Sequence, residues 1–459
     1  MSTSKPLTCF KAYDVRGKLG EELNEEIAYR IGRATAQFLN AKTVAVGFDA
    51  RATSPDLARS LVRGICHAGS DVLDIGLAGT EEMYAAVSEF GACAGIEVTA
   101  SHNPINYNGM KIVKQYSQPL TDQEFSKIKQ LAEQNKFIPS KHSSLVTDKR
   151  SAARNTYVEK ILSFVDLQSL QPLKIVINSG NGAAGPTINA LKQKIEEKSI
   201  KTNFVYLHHD PDPSFPNGIP NPMLEENRLE TGDVVISEKA DFGVAFDGDF
   251  DRCFLFDQGG NFIPGEYVLG LLSKVFLRKE KGATIVHDRR VIWNTIDVVS
   301  KCGGFAVSSK TGHSFVKAAM RENGAIYGGE ISAHHYFRDF AYCDSGMVPW
   351  LMIWELISKS NLSLSELISE RKQLFPSSGE INFTVADPEN CLEMVNSLFA
   401  SQATSVDELD GLSMCFENWR FNLRKSNTEP YVRLNVETMG DEVLLKEIIK
   451  KFEEIMKNA

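Results

Sequence analysis

Four polar segments of this sequence join residue types that do chemistry to flanks that would hold them still. Near residue 100 the apolar run Gly95-Ile96-Glu97-Val98 passes into Thr99-Ala100-Ser101-His102-Asn103-Pro104, setting a serine beside a histidine. A serine hydroxyl ionises too reluctantly to attack unaided, so covalent chemistry at Ser101 needs a nearby base or a phosphoryl group already in place. The same residues also make an ordinary Asx-type turn. Further on, Val244-Ala245-Phe246 runs into Asp247-Gly248-Asp249-Phe250-Asp251-Arg252. Alternate positions put three carboxylates on one side of the chain, each pair costing about 3 kcal/mol at roughly 5–6 Å and an effective dielectric near 20. Such a cluster wants a cation, and three hard oxygens with phosphate and water suit Mg²⁺. The loop lacks the twelfth-position glutamate of an EF-hand; a solvated acidic turn is the alternative.

The segment Arg424-Lys425-Ser426-Asn427-Thr428-Glu429-Pro430-Tyr431-Val432-Arg433 is a polar loop opening onto a strand. Guanidinium, hydroxyl, amide and main-chain donors of this kind hold a phosphate, although a solvated hairpin tip carries the same residues. In Gly328-Gly329-Glu330-Ile331-Ser332-Ala333-His334-His335, Glu330 and Ser332 share one side of an extended chain. They offer an acceptor and a two-way partner to adjacent sugar hydroxyls. The paired histidines have no third nitrogen or thiolate ligand at suitable spacing, which argues against zinc and makes one of them structural.

Such loops need rigid scaffolds to position them. At 459 residues the chain outgrows one core and favours about three or four domains, with clefts between them. Short β-branched runs at 43–48, 72–75, 173–178, 204–207, 242–246 and 284–287 precede segments of helical spacing. Examples are 25–39, with Ile27, Ile31, Ala34 and Phe38 on one stripe, and 56–68, with Leu57, Leu61 and Ile65. The alternation predicts an α/β fold of layered sheets and helices. The polar stretch 140–154, the turn Gly259-Gly260-Asn261 and residues 375–379 mark boundaries, giving domains 1–150, 151–257, 258–374 and 375–459. The last holds a strand at 431–436 and an amphipathic helix at 441–457, and the first three read as divergent copies of one block.

Apolar and charged shares of 42% and 24% are those of a globular protein. A formal charge of −9 without a basic stripe excludes a nucleic-acid binder, yet leaves room for anionic substrates in a locally positive cleft. Eight dispersed cysteines form no metal-like cluster and read as reduced, packed thiols. With no signal-peptide core and no run long enough to span a bilayer, the expected location is the cytoplasm, away from the membrane.

Taken in chain order, the four segments resemble the α-D-phosphohexomutase family over essentially the whole chain. The resemblance implies three similar α/β domains with mixed sheets and a smaller C-terminal α+β domain around a central cleft, one loop coming from each. It implies that Ser101 carries phosphate, that Asp247, Asp249, Asp251 and the Ser101 phosphate bind Mg²⁺, and that Arg252 adds positive charge. Glu330 and Ser332 would then read the sugar, while Arg424, Ser426, Asn427, Thr428 and Arg433 hold the substrate phosphate. Tyr13 and Arg16 of Ala-Tyr-Asp-Val-Arg-Gly would line the cleft, and His102 and Lys111 would be candidates for general acid/base work. Arg290, Lys310 and His313 would add contacts to the substrate.

The run from Ser332 to Gly346 resembles bacterial members acting on mannose phosphate, and Ile331 stands where that branch carries an apolar methionine. The implied reaction interconverts mannose 6-phosphate and mannose 1-phosphate through a hexose 1,6-bisphosphate, supplying GDP-mannose, in a monomer or weak homodimer whose last domain closes over the sugar. Glucose phosphates are alternative substrates. A Mg²⁺-dependent sugar phosphatase and a non-catalytic sugar-phosphate binder are the rival classes.

Overall fold

The computed structural model describes residues 6–425 and 431–457. They divide into two units, one running through Phe262 with Asp339–Asn361 added, the other comprising Ile263–Arg338 and the described residues from Leu362 onward.

In the first unit a mixed sheet orders its strands Val15–Lys18, Tyr107–Lys114, Ala94–Val98, Thr43–Phe48, Asp71–Leu77, Val146–Asp148. The last four are parallel and the first two antiparallel to their neighbours. Helices cover this sheet, which is why its inner strands read as continuous apolar runs instead of alternating ones. Glu25–Phe38 turns Ile31 and Ala34 into the core and is capped by Asn24, whose side chain accepts from Ile27 N–H; Ser54–Ala68 contributes Leu57, Leu61 and Ile65. A second sheet in the same unit runs Cys253–Phe256, Phe242–Phe246, Lys174–Asn178, Asn203–Leu207. The buried helix Met347–Ser360 packs Trp350 and Trp354 against Phe204.

The second unit holds strands in the order Phe305–Ser309, Thr284–Asp288, Tyr327–Gly329, His335–Phe337. It also holds an antiparallel sheet ordered Ser377–Thr384, Tyr431–Thr438, Trp419–Lys425, Leu412–Cys415, Ser405–Asp407. Helices Pro388–Phe399 and Glu442–Met456 close the core of that sheet around Phe399, Phe421, Leu434 and Phe452.

Three of these sheets share one plan. A central strand lies between two parallel neighbours, and the later neighbour turns back into an antiparallel partner. At the end of each central strand an Asx side chain accepts from the backbone N–H two residues on: Asp49 from Arg51 at 3.0 Å, Asn178 from Gly180 at 2.9 Å and Asp288 from Arg290 at 2.9 Å. This is the repeat expected of divergent copies. Each antiparallel turn carries one of the singled-out segments, around Ser101, Asp247 and Glu330, and the segment after Arg424 joins two antiparallel strands as well.

All eight cysteines are free, and no described helix is long and apolar enough to cross a membrane.

Candidate active site

In the first unit the strand Ala94–Val98 is buried along its length, and the chain leaves it into a turn where Ser101 takes φ 47°. A left-handed backbone at a residue bearing a Cβ stores roughly 1–3 kcal/mol and must be held by its surroundings. Arg51 supplies much of that restraint. Its guanidinium donates to the carbonyls of Ser101 (2.9 Å), Asn103 (2.5 Å), Pro104 (3.0 Å) and Tyr107 (3.1 Å). Ser101 N–H donates to Thr99 Oγ1 at 2.8 Å, and the Ser101 hydroxyl donates to Asp247 Oδ2 at 2.8 Å. Gly248 allows this approach, because a Cβ there would stand 2.7 Å from the Ser101 carbonyl oxygen.

His102 Nδ1 lies 3.0 Å from Ser101 Oγ and 2.5 Å from Arg252 Nη2. A guanidinium only donates, so Nδ1 is an acceptor and the ring proton sits on Nε2. His102 is exposed at one side, yet desolvation of its ring by the packed residues around it, helped by the Arg252 charge, holds it well below the usual imidazole range.

Asp247, Asp249 and Asp251 are buried, with one carboxylate oxygen of each within 4.8 Å of the others. Asp247 Oδ2 accepts from Arg252 Nε at 2.9 Å and Nη2 at 2.7 Å. Asp249 Oδ2 accepts from Thr80 Oγ1 at 2.5 Å and Lys111 Nζ at 2.8 Å, and the Lys111 ammonium also donates to Asp251. Burial pushes the Asp251 carboxyl well up, with the Asp249 charge adding to it. Burial acts the same way on Asp249, but the Lys111 ammonium outweighs it and brings that carboxyl down. Burial alone would lower Lys111; the charges of Asp249 and Asp251 reverse that and hold it well above its ordinary range. Asp249 Oδ1 is buried without a hydrogen-bond partner among the described residues. Three convergent hard oxygens and an unused acceptor fit a divalent cation such as Mg²⁺.

In the second unit Glu330 is buried and already engaged: Oε1 accepts from Gly312 N–H at 2.8 Å and Oε2 from Tyr336 OH at 2.5 Å. Burial raises its pKa against the opposing charge of Arg290. Ser332 Oγ accepts from Arg290 Nη2 at 3.2 Å and lies 3.2 Å from His334 Nδ1. Ile331 is buried, its N–H donating to Asp288 Oδ2 at 2.9 Å. Asp288 also grips Arg290 through Nη2 at 2.6 Å and Nε at 3.1 Å. His335 Nδ1 lies 2.6 Å from Tyr327 OH in the core, and burial pushes its pKa down to about 3, the structural histidine expected of the pair.

Arg424 Nη2 and Arg433 Nη1 donate to the Glu380 carboxylate at 3.2 and 3.4 Å, and Arg290 Nη1 lies 3.5 Å from it. Ser426, Asn427 and Thr428 lie outside the described residues; Arg424 and Arg433 flank them as cross-strand partners.

The first unit therefore brings together Ser101, His102, Lys111, Asp247, Asp249, Asp251 and Arg252, joined by Arg16, whose Nη1 donates to Thr99 O at 2.8 Å. The second brings together Arg290, Glu330, Ser332, Arg424 and Arg433. Tyr13 is exposed, Lys310 is exposed just past the strand Phe305–Ser309, and His313 opens the helix His313–Glu322 beside Gly312. Reading the sequence missed Arg51, Thr80, Asp288, Tyr336 and Glu380. The pattern Asp-x-Arg after an apolar strand, at Asp49-Ala50-Arg51 and again at Asp288-Arg289-Arg290, was a signal for two of them.

Family models described as phosphoglucomutase/phosphomannomutase match four successive stretches. These are alpha/beta/alpha domain I at 8–139, domain II at 155–260, domain III at 264–375 and the C-terminal domain at 380–455. A phosphomannomutase of Escherichia coli is 53% identical over 443 residues, covering 96% of this chain and 97% of its own. A phosphomannomutase of Vibrio cholerae is 52% identical over 460 residues, covering 99% of each. The crystal structure of a phosphoglucomutase/phosphomannomutase family protein from Burkholderia thailandensis superposes with a TM-score of 0.85 at 30% identity, covering 98% of this chain and 97% of that one.

Proposed function

The chain belongs to the phosphoglucomutase/phosphomannomutase family, and we propose that it interconverts mannose 6-phosphate and mannose 1-phosphate by way of a phosphorylated Ser101. The observation that carries this reading is the 2.8 Å hydrogen bond from Ser101 Oγ to Asp247, which ties a strained, restrained nucleophile to a buried acid cluster.

In the forward step the P–O bond to Ser101 breaks as a free sugar hydroxyl bonds to phosphorus, giving a hexose 1,6-bisphosphate. The sugar turns, and its other phosphate returns to Ser101, so no inorganic phosphate is released. His102, the neutral acceptor beside Ser101 Oγ, takes the proton of the attacking sugar hydroxyl and gives it to the departing Ser101 oxygen, and the second transfer runs this in reverse. The Lys111 ammonium and the Arg16 guanidinium offset negative charge on the phosphoryl oxygens. Asp247, Asp249 and Asp251, with a phosphate oxygen on Ser101, would hold Mg²⁺, which supplies electrostatic stabilisation of the transferred group. Arg252 orients Asp247 and His102 together.

Glu330 and Ser332 meet the ring hydroxyls, Arg290, Lys310 and His313 add contacts, and Arg424 and Arg433 form a clamp for the non-reacting phosphate with Ser426, Asn427 and Thr428. Tyr13 flanks the substrate. A phosphatase has no use for a separate sugar reader and clamp, which favours the mutase. The 1–150, 151–257, 258–374 and 375–459 division, a monomer or weak dimer and a role in supplying GDP-mannose belong to the same proposal, with glucose phosphate as the competing sugar.

The test is to incubate the purified protein with Mg²⁺ and glucose 1,6-bisphosphate and map phosphorylated peptides by mass spectrometry. One phosphoryl group on Ser101, turned over when mannose 1-phosphate is added, supports the reading. A phosphoryl group elsewhere, or none, contradicts it. Rates with mannose, glucose and glucosamine 1-phosphates then rank the sugars.

A further inference from the structure

Arg424 and Arg433 stand directly opposite each other on the paired strands Trp419–Lys425 and Tyr431–Thr438. Like charges facing across a ladder repel. Arg290 approaches from the end of the strand Thr284–Asp288, so three guanidiniums converge on one point. The group found there is the Glu380 carboxylate. Oε2 accepts from Arg424 Nη2 at 3.2 Å and lies 3.5 Å from Arg290 Nη1, while Oε1 accepts from Arg433 Nη1 at 3.4 Å. These are long contacts, and the buried Nε atoms of Arg424 and Arg433 have no hydrogen-bond partner among the described residues. One carboxylate thus leaves donors unused that a phosphate, with three terminal oxygens, would satisfy.

Glu380 reaches this point through a backbone irregularity. The strand Ser377–Thr384 slips register against Tyr431–Thr438 between Ser377 and Glu380, with Gly379 at φ 65°. Asn435 Nδ2 donates to Gly379 O at 2.9 Å, and Val436 N–H donates to Ser378 Oγ at 2.9 Å, fixing the bulge. A bulge re-aims the side chain that follows it. Here it aims an acid at three bases.

We propose that Glu380 is an internal occupant of the phosphate clamp: it balances Arg290, Arg424 and Arg433 while no ligand is bound and gives way to the phosphate of a sugar phosphate. This rests on reading Arg424 and Arg433 as phosphate ligands. Apparent affinity is then reduced by the fraction of molecules in which Glu380 fills the clamp. When a bisphosphate releases the clamp in order to turn, the carboxylate returns, so the arginines are never left bare and release is eased.

The test is calorimetric titration of inorganic phosphate into the full-length protein at low ionic strength, comparing wild type, Glu380→Gln and Arg433→Ala, with KM and kcat for mannose 1-phosphate alongside. The expected result is Arg433-dependent phosphate binding that tightens about ten-fold in Glu380→Gln, a lower KM without a higher kcat, and a melting temperature that phosphate raises more than in wild type. Glu380→Asp, which keeps the charge but withdraws it by one methylene, moves the same way by less and serves if the glutamine variant folds poorly. Arg433-dependent binding that weakens or stays equal in both Glu380 variants overturns the proposal and makes Glu380 a brace for the arginines. Phosphate binding unaffected by Arg433→Ala removes the clamp reading itself, and the proposal with it.

Discussion

Ser101 Oγ and Asp247 Oδ2 are 2.8 Å apart although they come from different sheets of the first unit. The hydroxyl assigned the phosphoryl group is thereby bonded to the first carboxylate of the acid cluster, and each can be perturbed through the other.

Ser101→Ala should lower turnover by at least about a thousand-fold while melting within a few degrees of wild type, since it loses one hydrogen bond worth about 1 kcal/mol. Ser101→Gly should be equally inactive yet no less stable, because glycine accepts φ 47° without strain. Calorimetry and a coupled assay on both variants check this. A glycine variant melting well below the alanine one would contradict the strain account.

Lys111→Met strips Asp249 and Asp251 of their shared cation, and breaking a buried pair costs about 3–5 kcal/mol. A divalent ion in the cluster would replace that charge. Millimolar Mg²⁺ should therefore raise the melting temperature of Lys111→Met more than that of wild type. An equal rise in both, or none, would remove the metal from these carboxylates.

Arg51 satisfies four carbonyls of the Ser101 turn with one planar fork, a geometry that a lysine point charge does not reproduce. Arg51→Lys should lose about 2–3 kcal/mol of stability and about 10–100-fold in kcat with KM little changed. A change in KM alone would assign Arg51 to binding and not to positioning.

Two buried groups of the second unit tilt stability with pH in opposite senses. His335 has its pKa lowered from 6.5 to about 3 by burial, so its contribution is complete above about 6.5 and is lost as pH falls toward 3. Glu266 is raised from 4.5 to about 7, chiefly by burial, so its contribution is complete below about 4.5 and is lost as pH rises through 7. Each slope is at most about 1.4 kcal/mol per pH unit, and between 4.5 and 6.5 they oppose each other. Over that window, relative to wild type, His335→Gln should tilt urea midpoints upward toward acid and Glu266→Gln downward. Parallel slopes in the two variants would contradict the assignment.

Much of this was legible because the chemistry sits where strand signals end. The runs before Ser101 and Asp247 are apolar enough to mark buried strands, and Asx and Gly residues mark the turns that follow them. The expected stripes at Leu57, Leu61 and Ile65 and at Ile31 and Ala34 form core faces. What stayed hidden depends on three-dimensional convergence. Glu380 meets Arg424 only because a bulge turns it, and Glu330 had no sequence mark of its bonds to Gly312 and Tyr336. Thr80 meets Asp249 only through the packing of one sheet's loops on another's.

The most direct measurement is phosphorus NMR of mannose 1-phosphate with purified protein, Mg²⁺ and a trace of hexose 1,6-bisphosphate. Mannose 6-phosphate should appear while inorganic phosphate does not. Accumulation of inorganic phosphate in step with substrate loss would make the chain a phosphatase and contradict the return of the phosphoryl group to Ser101.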